Sequence, residues 1–285
     1  MGVNKTVTLI TTGLLVFIAI LVGLYEYVKK DYSREPSEEV EILRTWRLPA
    51  QLKEVSGIAF LDDERIACVQ DEKGVIYIFN LRNSKIEKEI NFEGKGDFEG
   101  IALNGSTAYV VESNGRIHEI RNFLDEEPQF EEYSTDLSGE ENVEGLYFDR
   151  GKNRLLLALK SEDLHSDNYK GIYAFDLQRK ELEEGPVVKL TFEGEGFENY
   201  EDKDVEERFF PSELNRDPKT GNLVLLDAED PRLLFVNSSG KTIKLYNLNT
   251  TDFPQPEGIS FDSQGEMFIS NEGNPGTIHR VRINQ

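Results

Sequence analysis

Acidic side chains recur at a fixed place in this 285-residue sequence, each next to a glycine and a short apolar run. The steps read Val55-Ser-Gly-Ile-Ala-Phe60, Phe98-Glu-Gly-Ile-Ala-Leu103, Val143-Glu-Gly-Leu-Tyr-Phe148, Pro211-Ser-Glu-Leu214 and Pro256-Glu-Gly-Ile-Ser-Phe261. One column of the repeat therefore holds Ser56, Glu99, Glu144, Ser212 and Glu257, and Glu213 occupies the glycine slot of the fourth copy. A second column, at the end of the next apolar run, holds Asp71, Glu112, Lys160, Asp227 and Asn271, with Glu272 adjacent. Carboxylates crowded at one place repel unless they are protonated or share a cation. Oxygen donors without Cys or His point to Ca²⁺ before Zn²⁺. The expected metal ligands are Glu99, Glu144, Glu257, Asp71, Glu112, Asp227, Asn271 and Glu213, the last with the weakest claim because it departs from the repeat. The competing reading is that Glu-Gly is a strand entry with its carboxylate in solvent.

The elements that would bring these columns together follow from the period. The glycine positions Gly57, Gly100, Gly145 and Gly258, with Glu213 in the fourth slot, are separated by 43, 45, 68 and 45 residues. Each unit contains four short runs rich in Val, Ile, Tyr and Phe, bounded by Gly, Asn, Asp and Ser, which is strand chemistry. In the second unit the runs are Phe98–Leu103, Thr107–Glu112, Arg116–Ile120 and Phe130–Asp136. Four antiparallel strands per unit of this length make a propeller blade. The expected fold is all-β, a five-bladed β-propeller over residues 40–285. The last unit supplies three strands, and Val40–Leu48 offers the missing fourth, which would close the ring and remove its open edge. The long interval exceeds one blade. It reads as an acidic insertion over 191–207 in preference to a sixth blade, which stays open as the less favoured count.

In a propeller the first strand of each blade lines the axis, and a hairpin brings its start and the end of the second strand to one rim. Period-two alternation puts Glu54, Asp97, Asn142, Phe210 and Gln255 on the same strand face as the first column. The rim thus gathers oxygen atoms and one basic side chain, Lys160. The histidines stand apart from this pattern. His118 and His279 occupy the slot that Tyr77, Tyr173 and Phe235 fill in other units, so they read as packing residues, and His165 lies in a polar loop. The single cysteine, Cys68, sits in the apolar run Ile66-Ala-Cys-Val69 and excludes an internal disulfide.

Before the repeats, Thr6 to Tyr25 contains no charged residue. Twenty residues at 1.5 Å each reach about 30 Å, the thickness of a bilayer core. The run is longer than the apolar region of a secretory signal, the competing reading, and ends in Leu24-Tyr-Glu-Tyr-Val-Lys-Lys30 without a small-residue exit. We therefore expect a transmembrane helix within residues 1–28 as an anchor, with a linker over 29–39. Lys29, Lys30 and Arg34 after the helix favour a cytoplasmic C-terminal side, whereas long domains translocate largely regardless of nearby charge. The net charge of −22, from 54 acidic and 32 basic residues, repels nucleic acid and anionic lipid and attracts cations and basic partners. Nucleic acid is excluded as a partner.

The repeats, together with the ending Gln255 to Phe261 and Ser270-Asn-Glu-Gly-Asn274, resemble the SdiA-regulated (YjiK/CarP-like) family of bacterial proteins over residues 40–285. The resemblance implies a five-bladed propeller distantly similar to NHL-repeat proteins, bound calcium, and association with the bacterial inner membrane, the propeller on its extracytoplasmic side. The expected function is a membrane-anchored, calcium-binding interaction module whose mouth meets an unknown protein or small-molecule ligand. The alternative is a calcium-dependent hydrolase of lactonase or phytase type. Phytate would demand more basic side chains than Lys160 alone, which counts against that substrate. A structural envelope protein without a small-molecule ligand is the third reading.

Overall fold

The computed structural model describes residues 35–200 and 202–284. The expected anchor over 1–28 lies outside the described residues, and among these no helix is long and apolar enough to cross a membrane. The strands are β1 (Val40–Arg47), β2 (Val55–Phe60), β3 (Arg65–Gln70), β4 (Lys73–Asn80), β5 (Lys85–Lys95), β6 (Phe98–Asn104), β7 (Thr107–Glu112), β8 (Ile117–Arg121) and β9 (Gln129–Tyr133). They continue as β10 (Val143–Asp149), β11 (Arg154–Leu159), β12 (Lys170–Asp176), β13 (Glu181–Leu182), β14 (Val188–Leu190), β15 (Pro211–Arg216), β16 (Leu223–Asp227) and β17 (Arg232–Val236). β18 (Thr242–Asn247), β19 (Pro256–Phe261), β20 (Met267–Asn271) and β21 (Thr277–Ile283) complete the fold.

These strands form five antiparallel sheets. The first four blades run β2 to β5, β6 to β9, β10 to β13 and β15 to β18 in chain order, with β14 also paired to β12. The fifth runs β19-β20-β21-β1, so the N-terminal strand completes the last blade. Its register pairs Val40 with Ile283 and Trp46 with Ile278. The innermost strands touch in a closed circle, β2 to β6 to β10 to β15 to β19 and back to β2. The ring has five blades, as the repeat predicts, and the long interval holds no sixth.

The core is divided among the five blade-to-blade interfaces. The middle strands are apolar on both faces, as strands covered on both sides must be. In β3, Ile66 and Cys68 pack towards the fifth blade, and Ala67 and Val69 towards the second. The closing strand adds Trp46, whose ring tilts against Phe268 at 5.7 Å and whose Nε1 donates to Leu81 O at 2.6 Å. Outer strands such as β5 and β9 are mostly exposed and charged, which blunts sheet edges against pairing with other chains.

The repeated glycine has a steric cause. A Cβ on Gly57 would stand 2.7 Å from Ile101 N of the next blade, one on Gly145 2.7 Å from Leu214 N, and one on Gly258 2.8 Å from Ser56 O. At these three positions the neighbouring blade leaves no room for a side chain, whereas the fourth blade accommodates Glu213 in the same slot.

The insertion is present where the long interval places it. It makes two short 3-10 turns (Glu198–Tyr200 and Val205–Glu207). It also buries Phe192, Phe197 and Tyr200, which join Phe209 in the core between the third and fourth blades. Phe192 stacks on Phe209 at 5.3 Å. Lys170, fully buried, donates from Nζ to Lys160 O, Glu206 O and Phe209 O at 2.5, 2.9 and 2.8 Å and ties the insertion's end to β12. Acidic side chains cover the outside of an aromatic plug.

Candidate functional site

A β-bulge interrupts each innermost strand at the repeated step. The ladder skips between Phe98 and Gly100, Val143 and Gly145, Pro211 and Glu213, Pro256 and Gly258, and Val55 and Ile58. The skipped residues include Glu99, Glu144, Ser212, Glu257 and Ser56, the whole first column. A bulge takes a residue out of the ladder and re-aims its side chain. Strict alternation therefore does not run through this point, so it does not establish the shared face assigned above to Glu54, Asp97, Asn142, Phe210 and Gln255. Asn142 nevertheless reaches the site, donating from Nδ2 to Glu144 Oε1 at 2.8 Å.

Glu144, Glu213 and Glu257 are buried. Burial, followed by the charges of Glu144, Asp97 and Glu257, pushes the Glu99 carboxyl up to about 10. Burial and the Glu144 charge hold Glu257 well above the ordinary carboxyl range. Burial also raises Glu144, opposed by Lys160, whose Nζ lies 3.3 Å from Glu144 Oε1, and by Asn142. Burial works to lower the Lys160 ammonium, but Glu144 and Glu257 outweigh it and hold it above its usual value.

Glu213 belongs to the same electrostatic cluster despite its odd slot. It is fully buried, and its Oε1 accepts from Leu214 N at 2.8 Å and from Leu146 N of the preceding blade at 2.9 Å. Burial raises it strongly. The two N–H groups oppose that shift, and the Glu144 and Glu257 charges add to it.

Two ligands expected from sequence are occupied elsewhere. Asp227 forms a buried ion pair with Arg232, Nη2 to Oδ2 2.5 Å, and also accepts from Phe210 N at 3.2 Å. Glu112 accepts from or shares a proton with His118 Nε2 at 2.7 Å. His118 packs edge-on against Phe92 and Phe98 at 5.2 and 5.7 Å, as its slot predicts.

Asp71 and Asn271 each carry a buried oxygen without a partner. Glu54 Oε2, Ser56 Oγ, Asp71 Oδ1, Ser270 Oγ and Asn271 Oδ1 are buried without a hydrogen bond, and all belong to the first and fifth blades. Burial, then the Glu54 charge, raises Asp71. Burial, then Asp71, Glu54 and Glu144, pushes Glu272 to about 7. Native proteins rarely leave buried oxygens unpaired without water or an ion. Repeat columns gave access to Asp71, Asn271 and Glu54, but Ser270 carried no signal as a polar residue inside an apolar strand.

A closed five-blade ring with an acidic axial column can be compared with known proteins. The model of the SdiA-regulated family matches residues 35–278. The chain belongs to the SdiA-regulated family. No curated protein sequence matches it. Among solved structures it is similar to a glutaminyl cyclase of Myxococcus xanthus, with TM-score 0.62 and 16% identity over 86% of this chain and 96% of that one. A streptogramin B lyase gives TM-score 0.51 and 14% identity over 86% and 98%. A luciferin-regenerating enzyme gives 0.51 and 11% over 87% and 95%. At these identities the likeness shows the propeller fold alone.

Proposed function

We propose that this member of the SdiA-regulated family is a calcium-binding interaction module, held at the bacterial envelope by its N-terminal apolar segment. One observation carries the reading. Three innermost strands each carry a bulged glutamate held above its ordinary pKa, half-buried in Glu99 and buried in Glu144 and Glu257, while five buried oxygen atoms of the first and fifth blades lack partners. The donor set is all oxygen, which fits a hard cation. Glu99, Glu144 and Glu257 would hold the ion, with Asp71, Asn271, Glu54 and the Ser56 and Ser270 hydroxyls as the neighbouring donors. Calcium supplies the positive charge that lets these carboxyls ionise together and orders the rim towards a partner.

The hydrolase alternative is less well supported, because the basic side chains near the rim are engaged. Lys160 pairs with Glu144, and Arg232 is buried on Asp227. Membrane attachment rests on the uncharged run Thr6 to Tyr25, and alkaline extraction of membranes checks it: release into the soluble fraction would contradict an anchor.

Calorimetric titration of the chain with calcium, beside a Glu99→Gln/Glu144→Gln/Glu257→Gln variant, tests the site. Saturable binding and a raised melting temperature in the parent, lost in the variant, support it. Equal responses of the two proteins, or none in either, would refute it.

A further inference from the structure

Among the described residues, one group of acidic and histidine side chains has its ligand atoms at metal-ligand spacing, and it lies outside the mouth. Glu93, His118 and Glu132 each place one ligand atom within 4.8 Å of the other two. Glu93 is on β5, the outer strand of the first blade, whereas His118 and Glu132 are register partners on β8 and β9 of the second. The group therefore spans a blade interface. His118 is 4% exposed, and both glutamates are at the surface.

The second contact of His118 makes this more than an acidic patch. Its Nε2 lies 2.7 Å from Glu112 Oε1. A histidine that ligates a metal commonly donates its other ring N–H to a carboxylate, which fixes the tautomer and raises the basicity of the ligating nitrogen. With the proton on Nε2, Nδ1 keeps its lone pair, and no hydrogen bond to Nδ1 occurs among the described residues. Around a tetrahedral zinc ion, ligand atoms about 2.0–2.1 Å from the metal stand about 3.3 Å apart. Exposed glutamates close the remaining gap by rotation about their side-chain bonds.

We propose that Glu93, His118 and Glu132 form a second metal site, selective for a divalent transition ion of the Zn²⁺ class, with Glu112 as the positioning residue behind the imidazole. One imidazole with two carboxylates favours such an ion over calcium, which takes oxygen donors. Three protein ligands leave a coordination position for water. A bound ion would clamp the first blade to the second. Arg116 supplies the local positive charge without an ion: its Nη1 is 3.6 Å from Glu132 and its Nε 3.9 Å from Glu112, with the side chain 43% exposed. It must release Glu132 when the metal binds.

The test is a zinc titration of the full chain by calorimetry and thermal melting, in saturating calcium so that the mouth does not contribute. The parent should bind one Zn²⁺ and melt higher with it. Glu93→Gln and Glu132→Gln alter exposed side chains, so they should leave the zinc-free melting temperature unchanged while weakening binding tenfold or more. Glu112→Gln should weaken it by about 10–100-fold, as loss of a supporting carboxylate does elsewhere. Arg116→Gln should tighten it several-fold, an effect that a purely structural role for these residues would not produce. A Glu93→Gln/Glu132→Gln double variant that binds zinc like the parent overturns the proposal, as does a parent that binds none.

Discussion

Replacing Glu99 by glutamine should weaken the pH dependence of stability by one proton's share. The Glu99 carboxyl is pushed from an ordinary value of 4.5 up to about 10 by burial and by the charges of Glu144, Asp97 and Glu257. Below about pH 4.5 the group is protonated in both the folded and unfolded chain, and its contribution to stability is fully present. Above that the unfolded chain ionises first, so stability is lost progressively as pH rises towards 10. Between pH 6 and 8 folding takes up one proton at this site. One proton is worth about 1.4 kcal/mol per pH unit, hence about 2.7 kcal/mol over the two units. For a domain of this size that is about 5–10 °C in melting temperature. Urea unfolding at pH 6, 7 and 8 in the presence of a chelator measures it, followed by the fluorescence of Trp46, the one tryptophan in the sequence. Glu99→Gln should lose that one-proton share of the slope, because the amide cannot titrate, while Glu213, Glu257 and Glu272 keep theirs. In calcium the parent should lose it too, because an ion-bound carboxylate no longer takes up the proton. Parallel pH slopes for parent and variant in chelator would refute a half-buried, protonated Glu99.

Further outcomes follow from the packing. Trp46→Ala removes a buried ring and its bond to Leu81 on the closing strand, and should cost about 3–5 kcal/mol in urea unfolding. Gly100→Ala puts a Cβ 2.6 Å from Leu146 Cβ and 3.0 Å from Glu144 O; a loss of about 1–3 kcal/mol is expected, with weaker calcium binding by calorimetry. Arg232→Met leaves Asp227 buried without its partner and should cost about 3–5 kcal/mol, much of it recovered in Arg232→Met/Asp227→Leu when unfolding midpoints are compared.

The blade count was legible because each glycine answers to one steric demand, the contact of neighbouring innermost strands at the axis. The closing strand was legible too, since a fifth blade one strand short leaves few places for Val40–Leu48 to go. The insertion was legible as such, and its burial could have been read too. Phe192, Phe197, Tyr200 and Phe209 were visible in the same stretch, and four large rings within so short a span seldom stay in water. At the mouth, the glutamate column could be read because its position relative to glycine is constant. The bulge could not, because it is a change in backbone pairing that leaves the apolar pattern intact. The removal of Asp227 and Glu112 from the axial group depends on Arg232 and His118. Arg232 stands opposite Asp227 in the hairpin register, a relation that needs the turn between them to be known. His118 sat in an aromatic slot and packs there, yet its nitrogens also make polar contacts that slot arithmetic does not express.

The closing strand has a consequence for how the molecule comes into being. β1 is among the first parts of the propeller to be synthesised, and its partner β21 is the last strand of the fold. Asn284 and Glu41, hydrogen-bonded across that seam, are 243 residues apart in the chain. Until β21 has left the ribosome, β1 has no sheet to join, and four blades can stack while the fifth is missing its outer strand. Pairing over such a distance is slow, because loop closure precedes any gain from contact. Throughout that interval the nascent chain carries an unprotected ribbon at each end, the condition in which strands from two copies can pair with each other. The seam that seals the finished ring is therefore also the last step at which assembly can go wrong.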